Sequence, residues 1–422
     1  MSLLAFWYAF FVANVNWCCG RSEQVSILDR QSIMGVSLLP KATAASLRYY
    51  ATRVWRGPPP TLADLASRSI QICQGERLQA VRPFFLEPHA SRILDGPWHS
   101  AQRIRSDLTA QCEVELRPLL LHEFRDAFLV DGSMYIGSRA RIELRSGLER
   151  RVVTRRLSVL PLSPHQEFSA ATLGSGVAGS TWFGHWLVDE FPLQMMASQM
   201  GPIISHLRPD HRDEPAYRKL ADVEAPKRVG TAWVKRLRII DEFAQNASKF
   251  RRYAAIRNRL VNGRETQRRV FISRGNWGSP RTIANEAEIK ERLRSEGFSI
   301  LDISISSFEE IRSVLSGASL VVSVEGSHLT HALFMMARYG NMIILNPPDR
   351  TLTVLADLAP FFGLSAAMFV GEPREGGAFV VNEEELLSFI DAAVADHARR
   401  RPELTKFLEA VERIPVARID LA

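Results

Sequence analysis

The chain has 422 residues and a formal net charge of +7, with 46% hydrophobic and 23% charged residues. That composition excludes a disordered chain and leaves length for two ordinary domains with a sizeable core. Cys18, Cys19, Cys73 and Cys112 show no Cys-x-x-Cys or metal-ligand spacing, which argues against a disulfide scaffold and suits a reducing compartment.

Residues 1–60 read as a poorly defined N-terminal segment. Its apolar run, 3–15, is short for a membrane span and no basic residue precedes it. A degenerate anchor, a helix lying on the membrane, and sequence upstream of a later start at Met34 are the three readings, and no true transmembrane helix is expected. Gly57-Pro58-Pro59-Pro60 makes a stiff break. From about 75 to 165 short apolar runs alternate with turn residues, and 127–136 spells a hairpin around Asp131-Gly132. Gly174, Gly176 and Gly179 form a literal Gly-x-Gly-x-x-Gly, but the preceding strand pattern is poor, so a glycine-rich loop is expected there. It leads into an aromatic segment, 182–192, whose Pro192 falls near a turn end or a kink. Residues 201–230 read as loop and short helix, and 251–260 as a basic helix. Asn246-Ala247-Ser248 is the one glycosylation sequon, a number that chance supplies.

The second half is clearer. A strand at 270–273, a helix at 284–295, a strand at 298–303 and a helix ending near Gly317 follow one another. Ser307 and Glu310 make a capping box for that helix. A strand at 320–324, a helix at 329–337 and a strand at 342–345 complete the alternation, which implies a parallel, doubly wound sheet. Residues 382–412 read as a helical tail.

The positive charge is concentrated, with thirteen Lys/Arg against five acids from Lys249 to Glu296. No nucleic-acid-binding pattern accompanies it; a nucleotide diphosphate or an anionic membrane surface fits better, with a solvated helix face as the plain alternative. Arg274 and Arg281 flank a strand end, where guanidinium forks match phosphate oxygens. Asn285 and Glu286 open the next helix, as a cap with a dipole-matched acid or as ligand groups. In the turn that opens the third helix, Gly326 permits close backbone approach. Ser327, His328 and Thr330 offer donors beside Glu325. His331 lies three residues past His328, but no third metal ligand is apparent. Gly184-His185-Trp186 with Asp189 is the other cluster. On a helix His185 and Asp189 share a face, so the carboxylate can orient an imidazole that accepts a proton. A packed aromatic helix start is the alternative. The absence of Asp-x-Asp, of a Walker loop and of Gly-x-Ser-x-Gly weakens metal-bound donor, ATPase and hydrolase readings.

Taken in order, these clusters resemble glycosyltransferase family 61, including its capsular-polysaccharide-type members. The matching residues are Phe183-Gly184-His185-Trp186-Leu187 with Asp189 and Pro192, Ile272-Ser273-Arg274, Arg281 with Asn285-Glu286, Gly297-Phe298, Ser307 to Glu310, and Gly326-Ser327 with Leu329-Thr330. The chain has Glu325 and His328 where many members read His-Gly-Ala-Gly-Leu-Thr-Asn. The resemblance implies an α/β, GT-B-like fold of two Rossmann-like domains facing a cleft: 61–260 on the acceptor side, 261–380 binding a nucleotide sugar, and 381–422 packing back. It also implies inverting, metal-independent transfer without a cofactor, from a nucleotide-sugar donor to a glycan or lipid-linked glycan acceptor in capsular or surface polysaccharide synthesis. A cytoplasmic protein is expected, with peripheral contact at the inner face of the cell membrane and no nucleic-acid partner. The expected bases are His185, Asp189 or Glu325. The expected donor-binding residues are Arg274, Arg281, Asn285, Glu286, Gly326, Ser327, His328 and Thr330, with Gly184 and Trp186 on the acceptor side. A catalytically inactive sugar-nucleotide-binding or scaffold protein is the alternative.

Overall fold

The computed structural model describes residues 61–96, 100–109, 113–130, 133–136, 140–143, 165–261, 266–275 and 281–417. The expectations for 1–60, the Asp131-Gly132 turn and the Gly278-Ser279-Pro280 link lie outside the described residues.

Five short apolar runs form a wholly parallel sheet, in the order Ser299–Asp302, Arg269–Ser273, Leu320–Val324, Asn341–Asn346 and Ser365–Val370. Leu320–Val324 is buried throughout, as a central strand covered on both faces must be. Helices Glu286–Ser295, Phe308–Leu315, Leu329–Met335, Val354–Leu358 and Glu383–Arg413 connect or follow the strands. Ser307 and Glu310 make the expected capping box. Numbered along the chain, the strands stand 2-1-3-4-5, so the winding reverses between Arg269–Ser273 and Leu320–Val324. A crevice opens outside the carboxyl ends of strands at such a reversal.

Alternation along each strand builds two apolar layers. Phe271, Val322 and Ile343 pack with Ile289, Leu293, Phe389 and Ile390 on one face. Val270, Ile272, Val321 and Ile344 pack on the other, with Ile311, Leu333 and the upstream residues Trp186, Phe191, Tyr217 and Tyr253. Each such large side chain contributes about 1.5–3 kcal/mol on full burial. Residues that precede the parallel sheet therefore share in the cover of one of its faces.

The second sheet has nine strands and is mixed. Thr231–Asp241 runs antiparallel to Leu119–Val130, from Thr231 opposite Val130 to Asp241 opposite Leu120. Hairpin register pairs Ala127 with Ile136 and Val130 with Ser133, as expected. Ala171–Leu173, Ile203–His206 and Lys227–Val229 add a parallel flank. This sheet is not the uniformly Rossmann-like layer expected for the first half. The reason is the pair of long, largely buried strands, which pair directly and antiparallel along nearly their whole length rather than through crossover helices. Ile203–His206 lies in a stretch read as loop, because four residues between proline-containing segments are too few to show a period.

The described residues fall in one compact unit. The tail helix packs on the parallel sheet through Asn341 Nδ2 to Ala393 O at 3.1 Å and Ser365 Oγ to His397 Nδ1 at 2.7 Å. Beyond it, Ala417 N–H donates to Ile72 O at 2.9 Å, which ties the chain end to the mixed sheet.

The basic helix Ala247–Leu260 turns much of its charge inward. Lys249 is wholly buried, Arg257 donates to Leu333 O and to Met336 O (the latter at 2.8 Å), and Arg251 to Ile414 O at 2.8 Å. Arg268 donates to Ser313 O and Val314 O at 2.6 and 2.8 Å. These cations cap carbonyls between elements, which corrects their reading as a phosphate or membrane face. Asn246 of the sequon is a buried N-cap accepting from Lys249 N–H at 2.8 Å. No helix among the described residues is long and apolar enough to cross a membrane.

Candidate active site at the carboxyl edge of the parallel sheet

Arg274 follows strand Arg269–Ser273, and Glu325-Gly326-Ser327-His328 follows Leu320–Val324, so both flank the winding reversal. Arg281 Nε lies 2.8 Å from Glu325 Oε2, although neither atom makes a directed hydrogen bond. Burial pushes the Glu325 carboxyl up, against the pull of Arg281, Arg350 and Arg274. Burial also lowers Arg281 to about 10, partly offset by Glu325, with Arg350 and Arg274 adding to the depression. Three guanidinium groups thus act on one buried carboxylate, a surplus of positive charge in a desolvated place.

Gly326 has φ +157°, and a β-carbon there would lie 3.0 Å from His328 Nδ1 and 3.3 Å from Arg281 Nη1. Ser323 Oγ donates to Ile272 O at 2.7 Å, so His328 Nε2–H donates to Ser323 Oγ at 2.8 Å. Burial, then the charge of Arg274, drives His328 well below the usual histidine range. The ring is neutral, and its enclosed Nδ1 is an acceptor without a hydrogen bond. It therefore cannot act as a cationic partner for a diphosphate.

The second cluster sits on a chain that winds through helix Phe183–His185, a π-turn Trp186–Glu190 and helix Phe191–Ala197, with Pro192 in the first turn of the last. His185 Nδ1 and Asp189 Oδ2 are 2.8 Å apart, as the sequence spacing predicts. Lys249 Nζ, from the basic helix, reaches Asp189 Oδ1 at 2.5 Å. Burial alone would raise the Asp189 carboxyl, but Lys249 and His185 outweigh it and hold it low. An ionised carboxylate only accepts, so His185 Nδ1–H donates and Nε2 is the basic nitrogen.

The two clusters meet. A β-carbon on Gly184 would lie 3.1 Å from Ser327 Cβ and 3.2 Å from its Cα. Behind that contact the Phe183 ring stacks 4.8 Å from His331, whose Nδ1 is 2.7 Å from Tyr217 Oη and whose Nε2 is 3.4 Å from Asp213. His331 is thus committed to the core, and His328 to Ser323, so the two histidines do not converge as a metal pair.

Other expected residues have structural partners. Asn285 holds the Val381 backbone through both amide atoms, at 2.8 and 3.2 Å, and gives its helix no side-chain cap. Glu286 accepts from Ser273 Oγ at 2.7 Å and pairs with Lys290 at 3.2 Å. Thr330 Oγ1 donates to Ser327 O at 2.6 Å and closes the turn. Trp186 is wholly buried between Phe183, Phe191 and Tyr217, which removes it from any acceptor surface. Sequence reasoning missed Lys249, hidden in a basic run, and Arg350, which follows strand Asn341–Asn346; its place just past a strand end was the available signal.

A winding reversal flanked by arginines and adjoined by an oriented histidine is an arrangement that can hold an anionic ligand. Residues 183–341 match the family model described as Glycosyltransferase 61, which makes the chain a glycosyltransferase. That segment holds both clusters and supports an assignment to glycosyltransferase family 61. No curated protein matches the chain.

Proposed function

We propose that the chain is an inverting, metal-independent glycosyltransferase. It moves a sugar from a nucleotide diphosphate to a hydroxyl of a glycan or lipid-linked glycan, in capsular or other surface polysaccharide synthesis at the cytoplasmic face of the membrane. The observation that carries this reading is the surplus of guanidinium charge beside Glu325 at the carboxyl edge. Arg274 and Arg281 stabilise the leaving diphosphate, assistance that a metal would otherwise supply. The acceptor oxygen attacks the anomeric carbon from one side as the bond to the diphosphate oxygen breaks on the other. His185 Nε2 takes the acceptor proton. Asp189 orients His185 and is itself spent on Lys249, so His185 is preferred over Asp189 as base; Glu325, engaged by arginines, is the weakest of the three. A GT-B-like arrangement of two α/β bodies about a cleft is part of this reading, with the parallel sheet on the donor side.

A thermal-shift screen of nucleotide diphosphates and their sugar conjugates, each with EDTA and with magnesium, tests it. One nucleotide diphosphate is expected to raise Tm equally in both, and Arg274→Ala to abolish the rise. His185→Ala should keep the shift and lose transfer by about 10²–10⁴-fold. Absence of any shift would sink the donor site. A shift without transfer or donor hydrolysis would favour an inactive sugar-nucleotide-binding or scaffold protein, a reading that the carboxylate among the arginines supports.

A further inference from the structure

We propose that Arg350 is a third guanidinium of this anion site and clamps the diphosphate together with Arg274 and Arg281. The proposal deepens the reading above and rests on it.

Arg350 ends a short turn, Pro348–Arg350, after strand Asn341–Asn346. That strand is the parallel neighbour of Leu320–Val324, so the turn leaves the sheet on the same edge as Glu325. Its charge is felt at Arg274, Arg281 and Glu325 alike. The turn is braced: Leu352 N–H donates to Asn346 Oδ1 at 3.3 Å, Thr351 Oγ1 to Pro347 O at 3.2 Å, and Leu94 N–H to Pro348 O at 2.9 Å. Pro348 and Thr351 are buried, which fixes the start of the Arg350 side chain.

Arg350 Nε is shielded from solvent and donates no hydrogen bond. Arg281 Nε also makes no directed hydrogen bond, although it is ion-paired with Glu325 Oε2 at 2.8 Å. A shielded donor without an acceptor costs about 1–3 kcal/mol, and an arriving phosphoryl oxygen removes that cost. Three guanidinium groups against Glu325 leave at least two positive charges over, which the phosphate charges of a nucleoside diphosphate oppose. Arg350 also lies beyond the family-matched segment, so the match to 183–341 does not speak for it.

Titration calorimetry of the full chain with UDP, GDP and inorganic pyrophosphate tests the assignment. Arg350→Gln should weaken the best of the three by about tenfold or more, the scale of a charge-assisted bond. Arg350→Lys, which keeps the charge but loses the fork, should fall between. Arg338→Gln, at an exposed arginine elsewhere, should bind as wild type. Wild-type affinity in Arg350→Gln or Arg350→Lys, with binding lost in Arg274→Gln, overturns the role of Arg350 and leaves the donor site standing. No binding of any probe by the wild type overturns both.

Discussion

Asp189 meets two demands, since it must orient His185 and also neutralise Lys249, a cation with no access to water. Removing one member of a buried pair strands the other, at about 3–5 kcal/mol, whereas replacing both is far milder. Asp189→Asn is therefore expected to lower stability strongly, and Asp189→Asn with Lys249→Met to recover most of it in urea unfolding. Additive losses in the double variant would show that the pair is not coupled. The i,i+4 spacing of His185 and Asp189 was legible in the sequence, because one helical turn brings such residues to one face. Lys249 was not, because nothing local distinguishes an inward lysine in a basic run from its solvated neighbours. The partners of Asn285, Thr330 and Trp186 were not legible for a related reason: an amide, hydroxyl or indole serves backbone or core as readily as ligand.

At the scale of elements, the glycine-rich segment expected as a loop is in part the short helix Val177–Thr181, and it is filled from within. Gly176 N–H donates to Glu190 Oε1 at 2.7 Å, and a β-carbon on Gly179 would lie 2.3 Å from the Glu190 carboxyl carbon. Gly176 and Gly179 make room for an internal carboxyl, which gives this Gly-x-Gly-x-x-Gly spelling a packing reason. Burial pushes Glu190 up to about 8, although Gly176 and Arg208 pull it down; Glu214 and Asp189 add to the rise. The folded state then keeps a proton that the unfolded chain releases near 4.5. Stability should fall as pH rises from about 4.5 to about 8 through this group. Glu190→Gln should flatten that part of the Tm–pH curve, and an unchanged slope would refute the assignment. Along the parallel sheet, alternation and capping made the strands and helices legible in the sequence. Their 2-1-3-4-5 order was not, because strand periodicity carries no information on which neighbour a strand chooses.

On the scale of the whole molecule, one apolar layer runs from Trp186 through Tyr253 to Ile344 and Val411, joining helices of the first half to the parallel sheet. Heat should therefore unfold residues 61–417 in one transition, with calorimetric and van't Hoff enthalpies agreeing; two resolved peaks would contradict a shared core. The same layer bears on attempts to retarget the enzyme. Grafting a foreign second half at a junction near residue 265 would separate the sheet from the side chains of Trp186, Phe191 and Tyr217 that cover it. A chimera with its seam ahead of Leu78 would keep the sheet together with its cover, which includes Val81, Phe84 and Leu116 as well as the aromatic helices.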